Sequence, residues 1–155
     1  MSAFLTSCGQ NQTDVPKDNT KPEIKDIGPN IMVRNIKRGS NGTILMAGPN
    51  NSSFGDVFRY DGKSFTNLTS KIGSHRFWDV LEDRRRNIWF TTTDSGVYYY
   101  NTSTPLSAGG KTIQHFTTAE GLAHNRVMSV YEDKAGMIWF GTGGGISHDG
   151  KSFQN

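Results

Sequence analysis

The chain has 155 residues, 18 of them glycine, with 11% aromatic residues, 20% charged residues and a formal charge of +3. That length fits one domain, and the composition is that of a turn-rich β protein. Basic residues are scattered apart from Arg84-Arg85-Arg86, so the basic stripe or module that nucleic-acid binding needs is missing, and no run approaches the roughly 20 apolar residues of a membrane-spanning helix.

Cys8 is the single cysteine, which excludes an intrachain disulfide. Leu5-Thr6-Ser7-Cys8 resembles a bacterial lipobox, in which cleavage before the cysteine frees it to carry lipid. Residues 1–8 are therefore expected to be a lipoprotein signal. It is a truncated or atypical one, since an export signal normally has an apolar core of about 7–15 residues. The alternative is an incidental cysteine in a tail. Residues 9–30 are polar, carry Pro16, Pro22 and Pro29 and hold almost no aliphatic side chains. They cannot bury enough surface to offset the entropy of ordering, and are expected to be a flexible tether. A lipidated Cys8 would place the rest of the chain in the periplasm or at the cell surface, anchored to the outer membrane.

From residue 31 the chain repeats. Glu82-Asp83, followed by Ile88-Trp89-Phe90, returns as Glu132-Asp133 and Ile138-Trp139-Phe140, and a worn copy has Ile44-Leu45-Met46. Asp61-Gly62-Lys63-Ser64-Phe65 returns as Asp149-Gly150-Lys151-Ser152-Phe153. The equivalent Ile44, Ile88 and Ile138 are 44 and 50 residues apart. A strand-built repeat of roughly 40–50 residues predicts a β-propeller-type array. The expected fold is all-β, with blades over about 31–70, 75–117 and 125–155, each of four short antiparallel strands. The strands are expected over 31–37, 43–47, 56–60 and 64–68, then 76–82, 87–92, 96–100 and 111–116, then 126–132, 137–141, 145–148 and 151–153. Closed propellers have about 4–8 blades. The chain is thus expected to be a piece of a longer propeller, or to complete a ring by self-association or with partner blades.

Within each copy the first turn has a clear chemistry. Asp133 can accept backbone N–H groups, and Gly136 stands where a positive φ is cheapest. Gly39-Ser40-Asn41-Gly42 takes this role in the first copy, and Arg86 replaces the glycine in the second, at a cost of about 1 kcal/mol if its φ is positive. Trp89 and Trp139 recur at one place and are expected to pack between blades. Trp78 does not recur, since Arg34 and Met128 stand in its place, so it is a better ligand candidate. His75 and Arg76, with His124 and Arg126, precede the innermost strands of their blades and could line an anionic or sugar-binding surface, with solvated loops as the alternative. His75, His115, His124 and His148 lack the ligand spacing of a zinc site. Gly141-Thr142-Gly143-Gly144-Gly145 lacks the Lys-Ser/Thr of a phosphate loop. No cofactor and no catalytic residue is expected.

Glu120-Gly121-Leu122, Asn125-Arg126-Val127, Glu132-Asp133, Gly136, Ile138-Trp139-Phe140-Gly141-Thr142 and Gly145-Ile146 together resemble the two-component regulator propeller repeat, strongly in the second and third copies and weakly in the first. The resemblance implies a non-catalytic, extracytoplasmic sensor propeller with a carbohydrate or other ligand. An enzyme of the streptogramin-lyase type, with a histidine as general base over a bound metal, is the alternative in a different class.

Overall fold

The computed structural model describes residues 32–49, 54–73, 75–103, 113–148 and 151–152. Cys8 and the 9–30 tether lie outside them. Three four-stranded antiparallel sheets follow one another along the chain, each ordered as its strands occur. The first holds β1 (Asn35–Arg38), β2 (Ile44–Pro49), β3 (Gly55–Tyr60) and β4 (Phe65–Asn67). The second holds β5 (Phe77–Glu82), β6 (Ile88–Thr92), β7 (Val97–Tyr100) and β8 (Ile113–Phe116). The third holds β9 (Val127–Glu132), β10 (Ile138–Thr142), β11 (Gly145–His148) and β12 (Lys151–Ser152). The expected first strand begins later, at Asn35 rather than residue 31. Arg34 still donates its N–H to the Ala47 carbonyl at 2.9 Å.

Register shows why these runs form blades. Ile88 pairs with Glu82 and Trp89 with Leu81, and Ile138 pairs with Glu132 and Trp139 with Tyr131. The two copies are therefore in phase. Side chains alternate across a strand, so Ile88 and Phe90 face the first blade while Trp89 faces the third. All five residues of β6 are buried, as a strand covered on both faces requires. One core joins Leu45, Ala47 and Val57 to Phe77, Val80, Ile88, Phe90 and Tyr98. The other joins Trp89 and Val97 to Leu122, Val127, Val130, Ile138 and Phe140. The hydrophobic core is thus the pair of blade junctions.

The first turns follow the sequence pattern closely. Asp133 accepts the N–H groups of Ala135 and Met137 at 2.8 and 3.0 Å. Asp83 accepts those of Arg85 and Asn87 at 2.9 and 2.8 Å. Each carboxylate also accepts its own blade's indole N–H, from Trp89 at 3.1 Å and from Trp139 at 2.8 Å. Gly136 has φ 88°, and Arg86 at the same place has φ 69°. The first blade departs from this turn. Asn41 and Gly42 both have positive φ, 54° and 76°, and Thr43 rather than Gly42 closes onto the Ser40 carbonyl, at 3.0 Å.

Candidate functional site

In an up-and-down blade, the segment entering the innermost strand and the turn between second and third strands share one end. His75, Arg76, His124 and Arg126 all lie there. Thr93 N–H donates to the Arg76 carbonyl at 3.0 Å, and Gly143 N–H to the Arg126 carbonyl at 2.8 Å, so the two arginines are equivalent and both are exposed. The histidines are not equivalent. His75 matches Asn125, and their carbonyls accept the N–H groups of Gly55 and Gly96, each at 2.8 Å. His75 turns toward its own blade, with Nε2 2.9 Å from the Tyr98 hydroxyl. His115 stacks on the Tyr98 ring at 4.2 Å, and burial pushes the Tyr98 hydroxyl pKa up. His124 accepts the Arg126 N–H at Nδ1, at 2.8 Å, and both pack over Gly143. The structure thus brings His124 and Arg126 together and leaves His75 in a separate cluster with Tyr98 and His115.

Trp78 lies on the innermost strand β5, half-buried. The Arg34 guanidinium sits 4.4 Å above its ring centroid, a cation–π contact between neighbouring blades. Asn35 Nδ2 donates to the Trp78 carbonyl at 2.7 Å. The Arg34 guanidinium therefore covers one face of the Trp78 ring.

The opposite end, beside the first turns, holds a groove of about 590 Å³ between the second and third blades, a volume suited to a small ligand. Trp89, Tyr99 and Phe116 form its aromatic wall, with Trp89 at 4.5 Å from Tyr99 and 6.0 Å from Phe116 between ring centroids. Asp83, Arg84, Arg85, Asn87, Gln114 and Glu132 supply its polar rim. Asp83 and Glu132 are engaged by scaffold N–H groups. The side chains of Arg85 and Gln114 are exposed toward solvent. Burial raises the Tyr99 pKa, Asp83 adds to the rise and Arg85 opposes it, so the hydroxyl is a neutral donor at ordinary pH. A half-covered aromatic face beside a guanidinium, an amide and a phenol can stack a flat apolar surface and hydrogen-bond its polar edge. A smaller groove of about 220 Å³ repeats this position between the first and second blades, where Arg59 and Glu82 line it.

Tyr99, Gln114 and Arg85 are not among the ligand candidates read from the sequence, where Arg85 figures only in a basic run. Only strand pairing marks out Tyr99. Strand pairing places Arg59, Tyr99 and His148 opposite Leu45, Trp89 and Trp139, so this position breaks the repeat as Trp78 does.

Residues 121–144 match the two component regulator propeller family. No curated protein matches the chain. Among solved structures, the chain is similar to the extracellular domain of BT3049 from B. thetaiotaomicron, assigned to a hybrid two component system, at 22% identity and a TM-score of 0.51. That match covers 75% of this chain and 14% of the other. It is also similar to the extracellular domain of BT4673 from B. thetaiotaomicron, assigned to a one component system, at 18% identity and a TM-score of 0.51, covering 77% of this chain and 21% of that one. The chain thus has the fold of a small part of these propellers, and its third blade carries a two-component-regulator-type repeat.

Proposed function

We propose that the chain supplies blades of a non-catalytic, extracytoplasmic sensor propeller, and that a carbohydrate ligand occupies the groove between its second and third blades. The observation that carries this is the wall of Tyr99 and Phe116 beside Arg85 and Gln114. Sugars present an apolar C–H face and an equatorial rim of hydroxyls, which match a ring face bordered by planar donors and acceptors. The extracellular origin of the two similar structures supports the compartment, and Cys8 is the proposed lipid anchor. Isothermal titration with a panel of neutral and uronic-acid oligosaccharides tests the site. At least one class should bind, and Arg85→Ala and Gln114→Ala should each weaken it by about tenfold or more, the loss of one charge-assisted or two neutral hydrogen bonds. Absence of binding across the panel, or binding indifferent to both substitutions, overturns the groove.

A second reading rests on the Arg34–Trp78 contact. The inner strands and the loops of His75, Arg76, His124 and Arg126 would then take an anionic ligand. Binding lost in Trp78→Ala and Arg126→Ala but kept in Arg85→Ala selects this end of the blades.

A further inference from the structure

Each blade junction carries the same carboxylate clasp. Glu82, at the end of β5, reaches back to the first blade's turn, where it accepts the Ser40 N–H at 3.1 Å and the Ser40 hydroxyl. Glu132, at the end of β9, reaches back to the second blade's turn. It accepts the Arg84 N–H at 2.9 Å, and it pairs with Arg84 Nε at 2.7 Å. Ser40 and Arg84 are the same turn position, and Lys134 is the third. The motif's Glu-Asp pair is thus divided in labour: aspartate builds the turn of its own blade, and glutamate holds the turn of the blade before.

The far face of the third blade shows one half of this junction. Lys134 stands at the turn, and Tyr131 and Ile146 are 64% and 56% exposed. Their register equivalents Leu81 and Val97 lie in the junction with the third blade, where Val97 is fully buried. The far face of the first blade shows the other half. Ile36 is 65% exposed, whereas its equivalent Val80 is buried. Ile36, Ile44 and Met46 repeat the apolar positions of Val80, Ile88 and Phe90. The carboxylate position, however, holds Arg38, which pairs with Ile44 as Glu82 pairs with Ile88.

We propose that the far face of the third blade docks a propeller blade of the same repeat class whose innermost strand ends in glutamate, and that the first blade of a second copy is rejected there because it brings Arg38 against Lys134. The occupant is fixed by charge complementarity and by continuity with the two clasps already present.

Arg38 is exposed, so Arg38→Glu should fold, as a circular-dichroism melt will verify, and it converts the first blade into a clasp-bearing blade. Sedimentation velocity over a concentration series reads the outcome. The wild type should stay monomeric, whereas Arg38→Glu should associate head to tail with a dissociation constant lower by about tenfold or more. Adding Lys134→Glu should reverse that gain. Such a heterologous contact closes into a ring or extends as a filament, and either raises the sedimentation coefficient. The proposal is overturned if Arg38→Glu sediments like the wild type. It is equally overturned if the wild type already associates as tightly, or if Lys134→Glu leaves the association unchanged.

Discussion

Lys37 of the first blade and Asp79 of the second form an ion pair of 2.7 Å, and the same carboxylate oxygen accepts the Val130 N–H of the third blade at 3.1 Å. The Lys37 ammonium also donates to the Val130 carbonyl, at 3.0 Å. One buried carboxylate therefore ties together the innermost strands of three consecutive blades. The other Asp79 oxygen accepts the Val80 N–H at 2.9 Å, so the charge is fully engaged. The register shift in β5 between Phe77 and Asp79 sets this side chain toward the strands it joins.

Removing Asp79, whose side chain is only 4% exposed, takes the acceptor from the Val130 and Val80 N–H groups and leaves the Lys37 ammonium with the Val130 carbonyl alone. Asp79→Ala should cost about 3 kcal/mol, as for other broken buried pairs. Lys37→Met should cost less, about 1–2 kcal/mol, because the carboxylate keeps its two N–H donors. Urea unfolding of the three proteins at constant m-value gives the comparison. Equal costs for the two substitutions would remove the carboxylate from its central place.

Arg86 and Gly136 make opposite predictions at one backbone position. Arg86 holds φ 69° with a side chain on the turn surface. Arg86→Gly should stabilise the protein by about 0.5–1 kcal/mol, since the relief of left-handed strain exceeds the added freedom of the unfolded chain. Gly136→Ala should destabilise it by about 1 kcal/mol, because φ 88° is strained for any side chain. Thermal melts with shifts of opposite sign are the expected result.

These turns were legible in the sequence because their chemistry is local: Asp133, Gly136 and Trp139 act within one hairpin, and their spacing is visible along the chain. The strands were legible for the same reason, through the recurrence of Ile88-Trp89-Phe90 at Ile138. The contacts between blades were not. Glu82 and Ser40 are 42 residues apart, and only the packing of whole sheets brings them together. The groove depends on register too, since Tyr99 joins Trp89 only when β6 and β7 pair in the observed phase. Trp78 was visible as a break in the repeat, but its cover by Arg34, an equivalent residue of the neighbouring blade, was not.

The clasp predicts an asymmetry between the two residues of the Glu-Asp pair. Glu82→Gln keeps an oxygen acceptor for Ser40 but loses the charge, and should lower stability by about 1 kcal/mol. Asp83→Ala leaves the N–H groups of Arg85, Asn87 and Trp89 without their acceptor, and should cost about 2–3 kcal/mol. Hydrogen exchange separates the two effects. Glu82→Gln should speed exchange at Ser40 in the first blade, whereas Asp83→Ala should speed it at Arg85 and Asn87 in the second. Faster exchange confined to the mutated blade in both variants would show that Glu82 does not act across the junction.

Acid should loosen the third blade's turn through Asp133. Its pKa is lowered from 3.8, first by the Trp139 indole N–H and then by the Met137 and Ala135 N–H groups. A carboxyl with a depressed folded pKa binds its proton more readily when unfolded. Its contribution is therefore fully present above pH 3.8 and is lost as pH falls through the lower folded value. Glu120 and Asp61 act in the same direction, the first held down by the Thr117 hydroxyl and the second by the Ser64 and Lys63 N–H groups. Asp133→Asn removes one of these titrations while keeping an oxygen for the turn. The melting temperature of the wild type should exceed that of Asp133→Asn at neutral pH, and the gap should close as pH drops below 3.8. Substituting Trp139→Phe should shrink the same gap at neutral pH, because the indole is the largest cause of the shift. A gap that is constant with pH, or unaffected by Trp139→Phe, would mean that Asp133 is ionised without being held by the turn.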